Sequence, residues 1–141
     1  FNELTVMEMY EIARSRFEVF AMEQKIIQEP ELDGIDNECY QVFYMDNNRV
    51  VAYCRIVPAG IAYDNISLGR VLVLNDYRRK GLAQIMIKEA LKFIKEELKE
   101  DTVVLSGQVY AKGLYESVGF KIISDVYDEV GIPHVKMKIE L

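Results

Sequence analysis

Cysteine is scarce: Cys39 and Cys54 are the only two in 141 residues, and no CxxC pair is present. A cysteine-rich framework is excluded, and the expectation is two reduced, packed thiols in a cytoplasmic protein. There is one histidine, His134, with no second ligand near it in sequence, so no metal site is expected. No apolar run approaches the roughly 20 residues that span a bilayer, and no signal-peptide pattern opens the chain. The phosphate-binding patterns G-x-x-x-x-G-K-[ST] and G-x-G-x-x-G are both missing, which leaves a P-loop NTPase or a dinucleotide fold unsupported. Repeats, low-complexity tracts and linkers are absent too, so a single domain over 1–141 is expected. Positive charge is in deficit, with a net charge of -6. A surface of that sign repels nucleic acid and anionic lipid, and neither is expected as a partner.

What remains is an ordinary globular composition, 50% hydrophobic and 28% charged. A chain of this size buries roughly 68–70% of its unfolded surface. Thr5-Val-Met-Glu8 has capping-box spacing, and Met9, Ile12, Ala13, Phe17 and Phe20 follow at helical intervals. A second short helix is expected over 20–27, then a loop at "QEPELDGID", Gln28–Asp36. Tyr40–Met45 and Val50–Val57 read as strands flanking the hairpin turn "DNN". Ser67–Leu74 is a third strand. Leu82, Ile85, Met86, Ala90, Phe93, Ile94 and Leu98 form one stripe on a helix from Gly81 to Lys99. Strand 102–106, a short helix at 111–118, and strands 121–127 and 134–139 around "DEVGIP" complete the chain. Helix, antiparallel meander, then β-α-β-α-β-β predicts an α+β (mixed α/β) fold with helices on both faces of the sheet.

Against the acidic background, Arg78, Arg79 and Lys80 stand directly before Gly81, where the long helix begins. A helix start offers unpaired N–H groups and partial positive charge. Glycine lets a ligand approach the backbone, and Ala83 keeps the next turn free of bulk. Successive N–H groups there can form a concave nest for phosphate oxygens, with the cations at its rim. The plainer alternative is a solvated basic turn that only starts a helix.

"GRVLVLNDYRRKGLA", Gly69–Ala83, resembles the strand, R/Q-x-x-G-x-G/A turn and helix of the GNAT acetyltransferase superfamily. "AKGLYESVGFK", Ala111–Lys121, is similar to its Y-E-x-x-G-F signature, at the family's order and separation. "FEVFAMEQ", "PELDGID" and "GIPHVKM" resemble the ElaA-like branch, so the likeness covers nearly the whole chain. Two departures stand out. Ala83 replaces a usual glycine, and only Phe1–Leu4 precede Thr5, so the family's first strand is expected to be very short or truncated.

The resemblance implies a mostly antiparallel sheet, acetyl-CoA as cosubstrate without a metal, and acetyl transfer to a primary amine of a small molecule or peptide. It places the CoA pyrophosphate on the N–H groups of Arg79, Lys80, Gly81, Leu82, Ala83 and Gln84, beside Arg78. It lays the pantetheine arm along Leu72–Leu74, with Val71 next to it, like an added strand; its two amides need partners when buried. A backbone N–H near Val73 is the expected oxyanion donor. Tyr115 matches the tyrosine that protonates the departing thiolate, although in a chain with nine tyrosines core packing is its plain role. Glu23, in the matched segment, is the first choice of general base, its alternative being a helix-end acid. Asp33 and Asp36 are further candidates for contacting the substrate ammonium, or else turn formers. Arg55 and Arg70, in strand-like runs, can bind an acidic group but more often pair with a carboxylate. His134 can titrate near neutrality, but beside Pro133 at the start of a strand its expected role is structural. Specificity is assigned to the loops 28–39 and 58–65. The competing functions are a non-catalytic, regulatory CoA-binding module and an interaction domain without cofactor; a homodimer is the arrangement common in that family.

Overall fold

The computed structural model describes every residue, Phe1–Leu141. Helix α1 spans Val6–Arg16. The capping box forms as its spacing predicts: Glu8 N–H donates to Thr5 Oγ1 at 3.0 Å, and Thr5 N–H to Glu8 Oε1 at 2.8 Å. The expected second helix at 20–27 is instead a π-helical continuation over Phe17–Glu23, in which Gln24 N–H reaches back to the Val19 carbonyl. Widening the turn by one residue reorients the side chains that follow.

Strands β1 (Tyr40–Asp46) and β2 (Arg49–Val57) form the expected hairpin. Asn47 and Asn48 take φ of 50° and 60°, the left-handed pair that suits a two-residue turn between twisted strands. Strand β3 (Ile66–Val73) pairs antiparallel with β2. Helix α2 (Leu82–Glu96) follows, then β4 (Thr102–Gln108) and the short helix α3 (Lys112–Ser117). On α2 the buried stripe is Met86, Ile87, Ala90, Leu91 and Ile94, while Ile85 faces solvent. The expected strand 121–127 is broken in two, β5 (Lys121–Ile122) and β6 (Tyr127–Glu129). Both pair with β7 (Ile132–Glu140), and the last turn tightens to Val130 and Gly131, with φ of 51° and 79°. Phe1–Leu4 form a turn and no strand.

The sheet runs β1-β2-β3-β4-β7-β5, antiparallel throughout except between β3 and β4. One core, built on Ile56, Met86, Ile94 and Met137, fills the α2 and α3 face; a second, built on Ile12, Phe20, Tyr53 and Leu72, fills the α1 face. Cys39 and Cys54 are both free and buried, and burial pushes the Cys54 thiol up to about 12. No helix is long and apolar enough to cross a membrane.

Two irregularities of the sheet create the site. β3 and β4 are paired only at Ile66↔Val103 and Ser67↔Val104, so the rest of β3 and β4 diverge and leave a wedge. Opposite it, Tyr53 pairs with Leu72 but Arg55 with Gly69, so β3 carries one extra residue. Arg70, with φ of 54°, absorbs this bulge. Bulges of this kind bend a strand and re-aim its groups.

Candidate functional site

Two cavities meet at the wedge. The first, about 410 Å³, is lined by Val71, Leu72, Val73, Arg78, Arg79, Gly81, Leu82, Ala83 and Gln84. It therefore brings together every expected coenzyme-binding residue except Lys80, whose Nζ lies 5.7 Å from the centre of the Tyr77 ring. Gly81, at φ of 74°, is the residue before the first turn of α2, and no side chain caps that end. Its carbonyl accepts from Ile85 N–H, while the earlier amides of the turn have no helical partner. Arg79 is also left-handed, with φ of 65°, so the backbone of the turn curls at two residues before α2 begins.

The edge of β3 facing the wedge is open. Leu74 N–H donates to the Val51 carbonyl across β2 at 2.8 Å. Alternation along the strand turns the N–H and C=O of Val73 to the opposite side, where β4 has departed. Arg78 Nε takes that carbonyl at 2.8 Å. The same arginine binds Glu23 through two nitrogens. Glu23, expected as the base, thus lines neither cavity and is tied to the basic turn.

The second cavity, about 340 Å³, lies on the α1 face. It touches the first at Val71, Tyr110, Ala111 and Tyr115. Tyr115 is buried, packed edge-on against Phe120, and burial raises its phenol well above the ordinary value. Gly107 leaves it room: a Cβ there would stand 3.1 Å from Tyr115 Cε2 and 3.1 Å from Leu105 Cδ1.

One wall of the second cavity is an ion-pair network. Arg16, fully buried, binds Glu31 and Asp36, each at 2.7 Å. Arg55 binds Asp33 at 2.6 Å and Asp36 at 2.9 Å, and Arg70 binds Glu31 at 2.9 Å. Three arginines face three carboxylates, so the network is charge-balanced and pins the loop 28–39 to the sheet. Arg55 and Arg70 thus take the pairing role. Asp33 and Asp36 are engaged by arginines rather than left for an incoming ammonium. The Arg55 guanidinium, by hydrogen bond and charge, lowers the Asp33 carboxyl to about 2 against the opposing effect of burial.

Of the opposite wall the sequence singled out His134 alone, with a structural role. That wall holds Tyr63, Ser106, Gln108, Glu129 and His134. These come from four separate segments, and no short motif joins them. Strand alternation puts His134 and Lys136 on the face opposite Val135 and Met137.

Residues 10–141 match the family model for the acetyltransferase (GNAT) domain. The chain belongs to the GNAT acetyltransferase family. It is 43% identical to a UPF0039 protein of Schizosaccharomyces pombe over 100% of this chain and 93% of that one. The crystal structure of Escherichia coli ElaA superposes with a TM-score of 0.89 at 28% identity, covering 99% of this chain and 94% of ElaA. An acyl-CoA N-acyltransferase from Pseudomonas aeruginosa superposes with a TM-score of 0.88 at 28% identity, covering 98% and 93%. The GNAT membership, the ElaA likeness and the mostly antiparallel sheet flanked by helices agree with the reading of the sequence.

Proposed function

We propose that this GNAT protein transfers an acetyl group from acetyl-CoA directly to a primary amine of a small molecule or peptide. What supports it is the meeting of two cavities at Val71 and Tyr115: one is lined by the basic turn that opens α2, the other by a polar chamber. A long cosubstrate lying in the first cavity would present its thioester where the second begins. The diphosphate would rest on the amides of Arg79 to Gln84, with Arg78 at the rim. The pantetheine amides would pair with the open edge of Leu72–Leu74, as an added strand does. The activity named for the Pseudomonas relative, acyl transfer from acyl-CoA to nitrogen, supports the reading.

The chemistry follows from the groups at the junction. The amine nitrogen attacks the thioester carbon, and the carbonyl oxygen gains negative charge. The N–H of Val73, aimed into the wedge, would hold that charge. The C–S bond then breaks. Tyr115, kept protonated by burial, would give its proton to the thiolate and regain one from the nitrogen. Glu23 would fix Arg78 at the turn rather than take a proton. A homodimer and a cytoplasmic setting complete the reading.

The test is acetyl-CoA consumption with n-butylamine, spermidine and a short peptide bearing a free N-terminus, with mass spectrometry of the products. An acetylated amine supports the proposal. Coenzyme binding without turnover of any of the three would favour a regulatory CoA-binding module instead.

A further inference from the structure

Three hydrogen-bond acceptors, His134 Nε2, Glu129 Oε2 and Gln108 Oε1, crowd the polar wall of the second cavity; Ser106 Oγ donates to the other carboxylate oxygen, Glu129 Oε1, at 3.3 Å. His134 Nδ1 lies 2.7 Å from the Ile132 carbonyl. A carbonyl only accepts, so Nδ1 carries the hydrogen and the neutral ring leaves its lone pair on Nε2. Nε2 in turn lies 3.4 Å from Glu129 Oε2, which also only accepts. Gln108 is the third. Its Nε2 donates to Gln24 Oε1 at 2.9 Å, and Gln24 Nε2 to Tyr110 Oη at 3.3 Å. In this arrangement Gln108 Oε1 is buried without a partner. Gln108 and His134 are direct neighbours across β4 and β7, so the acceptors share one patch.

We infer that this patch is the ammonium-binding and proton-accepting end of the acceptor site, with His134 Nε2 as the general base. The inference rests on the N-acetyltransferase reading and deepens it. A primary ammonium carries three N–H donors on one nitrogen, the complement of three acceptors lacking one. One N–H proton passes to Nε2, giving a neutral amine and an imidazolium. Glu129, already in range, stabilises the charge that appears on the ring. The amine lone pair then forms the N–C bond, the C–S bond breaks, and the nitrogen's second proton leaves through Tyr115 to the CoA thiolate. The products are an amide, CoA thiol and one proton held on His134.

The groups around the imidazole fit this role. On β6, Tyr127 stacks on the ring at 6.2 Å between centroids, and its hydroxyl is hydrogen-bonded to Ser106. On β7 itself, the Lys136 ammonium lies over the Tyr63 ring, 4.7 Å from its centre. Arg55 and Arg70, on the opposite wall, are spent on Asp33, Asp36 and Glu31. Glu129 is thus the charged group directly facing Nε2. The cavity accordingly selects a cationic, unhindered primary amine.

His134 is the only histidine, so its ring resonances are unambiguous. Nitrogen-15 spectra of the full chain are expected to show the Nδ1–H tautomer, and spermidine is expected to shift the ring signals. A ring protonated on Nε2 alone, or one indifferent to spermidine, would overturn the assignment. The kinetic arm uses His134→Asn, whose side-chain amide can still donate to the Ile132 carbonyl but has no nitrogen at the Nε2 position. With spermidine near neutral pH, kcat/KM is expected to fall about 100-fold or more. It should then rise with pH toward the amine's own pKa, while thermal stabilisation by CoA stays parental. An unchanged pH profile would refute His134 as base. A parent enzyme that acetylates no amine would instead refute the acyl-transfer reading, leaving the NMR arm to decide the ammonium site.

Discussion

Arg78 holds Glu23 through both terminal nitrogens, at 2.6 and 3.0 Å, while its Nε holds the Val73 carbonyl. One side chain thus ties the π-helical segment, the open edge of β3 and the basic turn together. Because Glu23 is partly exposed, the pair adds little to stability. Glu23→Gln is expected to change the melting temperature by only a few degrees. It should lower kcat/KM less than tenfold, acting through the KM for acetyl-CoA. A loss of about 100-fold in kcat would mark Glu23 as the base after all.

Gly81→Glu is expected to abolish CoA binding. The new carboxylate would stand at the nest, and a side chain at φ of 74° strains the turn. Gly81→Ala separates the two effects: it keeps the strain but adds no charge, so it should weaken binding far less. Titration calorimetry with CoA measures both.

Tyr115→Phe is expected to reduce kcat about 10- to 100-fold while CoA affinity stays within about threefold. The packing against Phe120 survives the substitution, and only the hydroxyl is lost. Single-turnover rates are the direct measurement, since slow product release could mask the effect.

The ion-pair network gives two predictions about stability. Asp36→Ala leaves Arg16 and Arg55 each short of a buried partner, and should cost about 3–5 kcal/mol in urea unfolding. The Asp33 carboxyl, held at about 2 by Arg55, is lowered relative to an unfolded chain. Its contribution is therefore present above the ordinary carboxylate range near ~4 and is lost as pH falls toward about 2. Asp33→Asn should flatten that acid limb. For Tyr115 the sign reverses: a raised phenol favours folding below ~10, and the benefit declines at higher pH.

The parts of the site written in contiguous sequence were legible in it. Strand β3, the basic turn and the start of α2 form one uninterrupted segment, and all of its expected residues but Lys80 line the first cavity. The hairpin at Asn47 and Asn48 was legible for the same reason. What sequence could not show was assembled by the sheet. The break between β5 and β6 depends on how each pairs with β7, which period-2 patterning does not reveal. The parting of β3 from β4 after Ser67 leaves no local trace. Glu23 and Arg78 are separated by 55 positions, and neither segment alone reveals that they pair. His134 looked structural beside Pro133, and it does hold Ile132; only strand registration brings Gln108 beside it and Glu129 to its other nitrogen.

In the proposed function, the main-chain amides opening α2 grip a diphosphate and so deliver a thioester to the wedge between β3 and β4. Backbone amide spectra of the full chain, titrated with CoA, test it most directly. The amides of Arg79 to Gln84 are expected to shift first among all residues, together with Val73. Saturable binding that moves neither group, or moves only residues on the β1 edge, would contradict it.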